Sequence, residues 1–425
     1  MMKYPILFVL FVSILFPFSC KQEEAANYDE AAVPNYTLPE LLLSEKGDSI
    51  LSYQDWNELR KKELLRLFSE EVYGPFPDKE YDIRFEEKLL PGTYYEGRAS
   101  IREIEARVST SSGSESFTIL YIYPNNQKAV PVFVGLNFSG NHTIDTLSLI
   151  SIHDDWVSNS SSKNITDNRA TPVSRGASAT RWPVQTIIDH GYGLATAYYG
   201  SIDPDYDDGF QNGFHPLFAQ DENEAEYTSA SSISMWAKGM SFIADFLEQD
   251  SIADTNRIIA IGHSRLGKTT LWCGANDSRF SAVISNNSGC GGAALSMRQF
   301  GERVGRINTR FPHWFTERFN RYNGKERKLP VDQHMLLALM APRPIYVASA
   351  TEDQWADPMG EFLALKEACS VYALFGYTQD FPQQLPSANK PYDGITGYHL
   401  RKGKHDLTEF DWIMYINWCD KWLPE

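Results

Sequence analysis

Positive charge is in short supply. The 425 residues hold 39 lysines and arginines against 55 aspartates and glutamates, a formal charge of −16, and no basic stripe is interleaved with aromatics. Nucleic-acid binding needs the opposite balance, so no nucleic-acid partner is expected. Cysteine is scarce too: there are five, none in a C-x-x-C pair, and no H-E-x-x-H motif is present, so no zinc site is expected. Internal repeats and heptad runs are absent, which excludes a solenoid and a coiled coil. The run Asp203-Pro204-Asp205-Tyr206-Asp207-Asp208-Gly209 has the acidity of a calcium loop. Its glycine stands at position seven instead of six and no glutamate follows in register, so it reads as a solvated acidic loop without a metal.

What is present is enough apolar sequence for one large core. The 10 tryptophans, 22 tyrosines and 24 phenylalanines belong mostly to that core, with a minority suited to stacking on sugar rings. At the N-terminus a lysine precedes the apolar run Ile6 to Phe18 and then Ser19-Cys20. Such a run is too short for a stable span and reads as an export signal. Cys20 resembles the acylated cysteine of bacterial lipoproteins, although Phe18 stands where a small residue is commoner. The expectation is an exported outer-membrane lipoprotein, periplasmic or at the cell surface, touching the membrane only through a lipid on Cys20, with plain secretion as the alternative. Residues 1–20 are then the signal, 21–44 a tether, and 45–425 a single, monomeric folded domain. Cys273, Cys290, Cys369 and Cys419 remain, with three full pairings or free thiols open to them.

The organisation is α/β. From Asp55 an amphipathic pattern places Leu59, Leu64, Leu67 and Phe68 on one helix face, ending before Gly74-Pro75. Alternating segments near 81–90, 100–108 and 117–124 predict opening antiparallel strands. Short apolar strands at 130–136, 193–198, 257–261, 282–285 and 345–349 then alternate with helices near 178–190, 230–249, 267–276, 359–368 and 408–422. Continuous apolar strands with helical crossovers imply a parallel sheet covered on both faces.

Residues Ile258 to Lys268, I-I-A-I-G-H-S-R-L-G-K, run such a strand into a helix through a serine. This is the pattern of a nucleophile elbow, with Gly262 and Gly267 letting neighbouring backbones approach Ser264. The usual second glycine position holds Leu266. A serine hydroxyl needs a base and a group to orient it, in chain order serine, acid, histidine. His405, in a glycine-containing loop before the last helix, is the leading base and His399 the second. Asp353, Glu352 and Asp357 compete for the acid in the turn after 345–349, and Asp353 is chosen because its loop leaves the carboxyl end of a strand. Arg265 is a candidate oxyanion donor, worth on the order of 3 kcal/mol in a transition state. A second donor is expected from Asn137 to Asn141.

Beyond the elbow, the blocks N-N-S-G-C-G-G at 286–292, G-E-R-V at 301–304, I-N-T-R-F-P-H-W-F at 307–315, E-D-Q-W-A-D-P at 352–358 and H-D-L-T-E-F-D-W at 405–412 resemble carbohydrate esterase family 15, the glucuronoyl esterases, in family order. The resemblance runs from about residue 45 to the C-terminus. It implies an α/β-hydrolase fold, Ser264 as nucleophile, His405 as base, Arg265 as oxyanion stabiliser, and no cofactor. Lys268, Glu302 and Trp314 fall where the family contacts glucuronate, and Trp355 is expected in the cleft. Many members carry a catalytic glutamate where this chain has Asn287, which shifts the acid to Asp353. The implied activity is cleavage of 4-O-methyl-glucuronoyl esters that link glucuronoxylan to lignin. An acetyl xylan esterase or another carbohydrate esterase, or a weakly active carbohydrate-binding relative, are the alternatives.

Overall fold

Nine strands form one sheet in the computed structural model, which describes residues 25–92, 94–125, 127–219, 230–377 and 380–423. They are β1 (Asp82–Leu89), β2 (Ala99–Thr110), β3 (Gly113–Pro124), β4 (Val130–Asn137), β5 (Gly193–Tyr198), β6 (Ala253–His263), β7 (Phe280–Asn286), β8 (Ile345–Ala350) and β9 (Thr396–Arg401). Their order is β1-β2-β3-β5-β4-β6-β7-β8-β9. The first three pair antiparallel and β3 joins β5 antiparallel; every pairing from β5 through β4 to β9 is parallel. This is the mostly parallel sheet of an α/β-hydrolase.

Patterning explains the layers. β4, β5 and β8 are buried at every position, as strands roofed on both faces must be. Helices Ser232–Leu247, Arg265–Asn276 and Pro358–Leu374 supply one apolar layer through residues such as Trp236, Leu271 and Phe362. Val184–Asp189 and Glu409–Trp422 cover the other face with Ile187, Trp412 and Tyr415. The parallel order brings the carboxyl ends of β4, β6, β7 and β8 to one edge, where sheets of this kind gather their sites.

Three expectations change. The segment Thr396–Arg401 is a further strand that the sequence pattern does not show, and its six residues are all buried. Residues 25–44 are not a free tether. Glu30 pairs with Arg298 at 2.7 Å, Tyr28 meets the Phe300 ring edge-on, the Pro39 carbonyl accepts from His334, and Leu41 enters the core. Alanine-rich acidic composition concealed this because the partners lie far along the chain. The 203–209 loop is not wholly solvated either: Asp203 is buried and the Asp205 side chain is 4% exposed. The export signal, Cys20 and residues 21–24 lie outside the described residues. Cys273, Cys290, Cys369 and Cys419 are free thiols.

Candidate active site

β6 ends at His263 and the next helix starts at Arg265, leaving Ser264 at the corner with φ 58° and ψ −128°. A non-glycine residue holds such a conformation only where its surroundings enforce it. The enforcement is visible. A Cβ on Gly262 would lie 2.0 Å from the Leu266 carbonyl oxygen, and one on Gly267 would lie 3.0 Å from the Ser288 Cβ. Strand and helix therefore cross where only glycine fits at position 262, the helix passes Ser288 closely at Gly267, and Leu266 needs no glycine because its own side chain is buried in the core.

Ser264 opens on a cleft of about 290 Å³ whose walls include Arg265, His405, Phe138, Ser139 and Lys163. His405 Nδ1 lies 2.6 Å from Asp353 Oδ2. An ionised carboxylate only accepts, so Nδ1 carries the proton and Nε2 is left with a lone pair. Asp353 is nearly inaccessible and His405 is 39% exposed, an arrangement in which a fixed charge steers a ring open to the cleft. Asn287, held at φ 47° just after β7, donates Nδ2–H to the same Asp353 oxygen at 2.8 Å. Asn287 thus braces the carboxylate of the later loop against His405.

The competing residues are engaged elsewhere. Asp357 accepts from Arg298 at 2.9 Å and caps the following helix through the Gly360 N–H. Glu352 is exposed. His399 lies inside β9, fully buried, with Nε2 2.8 Å from Asp411. His263 shapes the elbow: its Nδ1 meets Asn286 Oδ1 at 2.6 Å, its ring lies 4.6 Å from that of His405, and burial followed by the nearby His405 holds its pKa well below the usual imidazole value.

Arg265 pairs with Asp205 and sits over the Trp314 ring at 4.5 Å. The expected oxyanion loop contributes Phe138 and Ser139 to the wall, while the Gly140 N–H is already given to the Asn137 side chain. Lys163 was not foreseen. Its Nζ donates to Ser139 Oγ at 2.8 Å, and burial, then Arg181 and Arg265, bring its pKa down to about 8. Nothing in a serine- and asparagine-rich loop signals such a residue.

The four residues expected to meet a sugar lie outside the cleft lining. Lys268 is buried, donating to the carbonyls of Ser288 and Cys290; desolvation lowers its pKa and Glu302 opposes the shift. Burial raises the Glu302 pKa, while Lys268 and a hydrogen bond from Trp355 oppose it. Glu302 is thus coupled electrostatically to Lys268 and by a hydrogen bond to Trp355. Trp314 corrects the expectation: its N–H goes to Asp205 at 2.7 Å and its ring stacks on Phe311 at 3.8 Å, so it is a floor beneath Arg265 and not an open sugar platform. Among the described residues no cluster of histidine, cysteine or carboxylates suits a metal.

A strained serine, an imidazole with a free nitrogen and a buried orienting carboxylate can together support acyl transfer. The chain is similar to known esterases. A family model described as glucuronyl esterase of fungi matches residues 207–376. A carbohydrate esterase of an unknown prokaryotic organism, MZ0003, is 46% identical over 94% of this chain and 92% of its own. The structure of a promiscuous CE15 esterase from a marine bacterial metagenome is 44% identical with a TM-score of 0.87, covering 94% of this chain and all of that one. The glucuronoyl esterase of Solibacter usitatus is 39% identical with a TM-score of 0.84 over 92% of this chain and 99% of that chain. With identity this high over nearly its whole length, the chain belongs to carbohydrate esterase family 15 and is a carboxylic ester hydrolase.

Proposed function

We propose that this esterase cleaves esters of 4-O-methyl-glucuronic acid, of the kind that join glucuronoxylan to lignin alcohols, through an acyl-enzyme on Ser264. The observation that carries the reading is the strained Ser264 opening on the cleft that also holds His405, whose Nδ1 is 2.6 Å from Asp353. Ser264 Oγ attacks the ester carbonyl as His405 Nε2 takes its proton. The tetrahedral oxyanion is met by the Arg265 backbone N–H at the helix start and by the Arg265 side chain. His405 then returns the proton to the departing alcohol. Water, deprotonated by the same imidazole, releases the uronate carboxylate. Asp353 stays ionised throughout and stabilises the imidazolium.

A uronate acyl group is chosen because Ser139, Asn159, Lys163 and Arg181 line the same cleft as Ser264 and supply donors for sugar oxygens. The relatives named glucuronoyl esterases support that choice. Purified enzyme should release benzyl alcohol from benzyl glucuronate, and Ser264→Ala should abolish it. Acetyl release from acetylated xylan without glucuronate ester cleavage would refute the substrate and leave an acetyl esterase. The sequence also supports export as a lipoprotein, tested by palmitate labelling that Cys20→Ser removes; labelling that survives this change would overturn it.

A further inference from the structure

Asp205 lies in the acidic loop first read as solvated, yet its carboxylate is the meeting point of four donors. Oδ1 accepts from His313 Nε2 at 3.0 Å and from Trp314 Nε1 at 2.7 Å. Oδ2 accepts from Tyr199 Oη at 2.7 Å and from Arg265 Nη1. Four acceptor sites are what an ionised carboxylate offers, so the group is saturated. Burial alone would push its pKa up; Arg265 and the hydrogen bonds from His313, Tyr199 and Trp314 outweigh burial and hold the carboxyl well below its usual range.

Three of these donors are themselves fixed. Trp314 stacks on Phe311 at 3.8 Å with only 2° between the rings. His313 is buried, and the Tyr199 ring packs on Trp236 at 4.9 Å. The fourth, Arg265, is the one long side chain of the set with several rotatable bonds, and with Tyr199 it lines the cleft beside Ser264. Its guanidinium also lies over Trp314, Phe311 and Phe138 at 4.5, 5.4 and 5.7 Å. An arginine that is merely charged would lose rotamer freedom each time it met a developing oxyanion. Anchored at Nη1 and laid on an aromatic floor, it has lost that freedom in advance, which is what electrostatic preorganisation requires.

We propose that Asp205 is a positioning residue for ester hydrolysis, fixing the Arg265 guanidinium beside Ser264 through a carboxylate that His313, Trp314 and Tyr199 hold in place. The proposal rests on the reading of Arg265 as an oxyanion stabiliser. Asp205 touches no reacting atom; its whole effect on the rate passes through Arg265. It follows that the two residues are not additive.

The test is a double-mutant cycle with benzyl glucuronate and, in parallel, with 4-nitrophenyl acetate, which has no sugar. Arg265→Ala should lower kcat about 100-fold. Asp205→Asn should lower kcat about 10-fold or more with KM within about two-fold, and should add less than about two-fold in the Arg265→Ala background. Trp314→Phe keeps a ring under Arg265 but removes one donor to Asp205. It should give a smaller loss of kcat that likewise vanishes without Arg265, and it serves if Asp205→Asn fails to fold by circular dichroism. Unchanged kcat in Arg265→Ala would refute the oxyanion reading itself. A loss in Arg265→Ala with wild-type kcat in both anchor variants, or multiplicative losses in the cycle, would overturn the role of Asp205 alone.

Discussion

At Asp353 the structure shows a carboxylate 2.6 Å from His405 Nδ1, and the residue marks both what sequence places and where that reading stops. It was chosen because its loop leaves the carboxyl end of a strand, and β8 does end at Ala350. Glu352 and Asp357 stood equally near, and what separates them is tertiary: Arg298, which neutralises Asp357, is 59 positions away, and His405, which claims Asp353, is 52 away. Asn287 carried no sign of its hydrogen bond to Asp353 beyond being the wrong residue for an acid. If Asp353 keeps the proton on His405 Nδ1, Asp353→Asn should leave the fold intact and lower kcat by about 10³- to 10⁴-fold, with KM nearly unchanged, because the amide favours the wrong tautomer. Steady-state kinetics with benzyl glucuronate checks it; a variant retaining a tenth of wild-type kcat would place the acid elsewhere.

Elements with strong periodicity were legible, and those defined by distant partners were not. The strand Gly193–Tyr198 was bounded as observed because every residue in it is buried and Gly191 turns the chain with φ 83° just before it. β9 went unread because T-G-Y-H-L-R mixes a glycine, a histidine and an arginine. Its Arg401 and His399 become tolerable only where Asp411 accepts from both. The segment 25–44 was misread for the same reason: its anchors, Arg298, His334 and Arg60, come from other parts of the chain. A tether tolerates any substitution, whereas a docked segment does not. Leu41→Ala should therefore cost about 2–4 kcal/mol of stability through lost burial and a residual cavity. Urea unfolding monitored by fluorescence measures this, and a midpoint within error of the wild type would restore the tether.

At the scale of the whole molecule, buried titratable groups set how stability depends on pH. Burial raises the pKa of Glu361, held by Ser349 and the Gly289 N–H, to about 8 from an ordinary 4.5, and that of Asp332 to about 6 from 3.8. In both, the folded state binds more protons than the unfolded state between the two values. Their contribution is complete at low pH and is lost as pH rises through the folded value. His142 and His334 act in the opposite sense. Burial lowers each to about 4 from 6.5, so the unfolded chain binds more protons over that interval and stability climbs with pH across it. The histidines therefore penalise acid and Glu361 penalises alkali, and growing self-repulsion in a chain of charge −16 adds to the alkaline loss. The melting temperature should peak near pH 6 and fall between about pH 6 and 8. Glu361→Gln removes the titrating proton while keeping a neutral side chain of the same shape. Its melting temperature should fall by clearly less over that interval, so the two profiles, close together in acid, should separate as the pH approaches 8, where the wild-type carboxyl has lost its contribution. Calorimetric scans from pH 4 to 9 decide the matter: parallel wild-type and variant slopes between pH 6 and 8 would mean that Glu361 is already ionised in the folded protein and that general charge repulsion alone drives the loss.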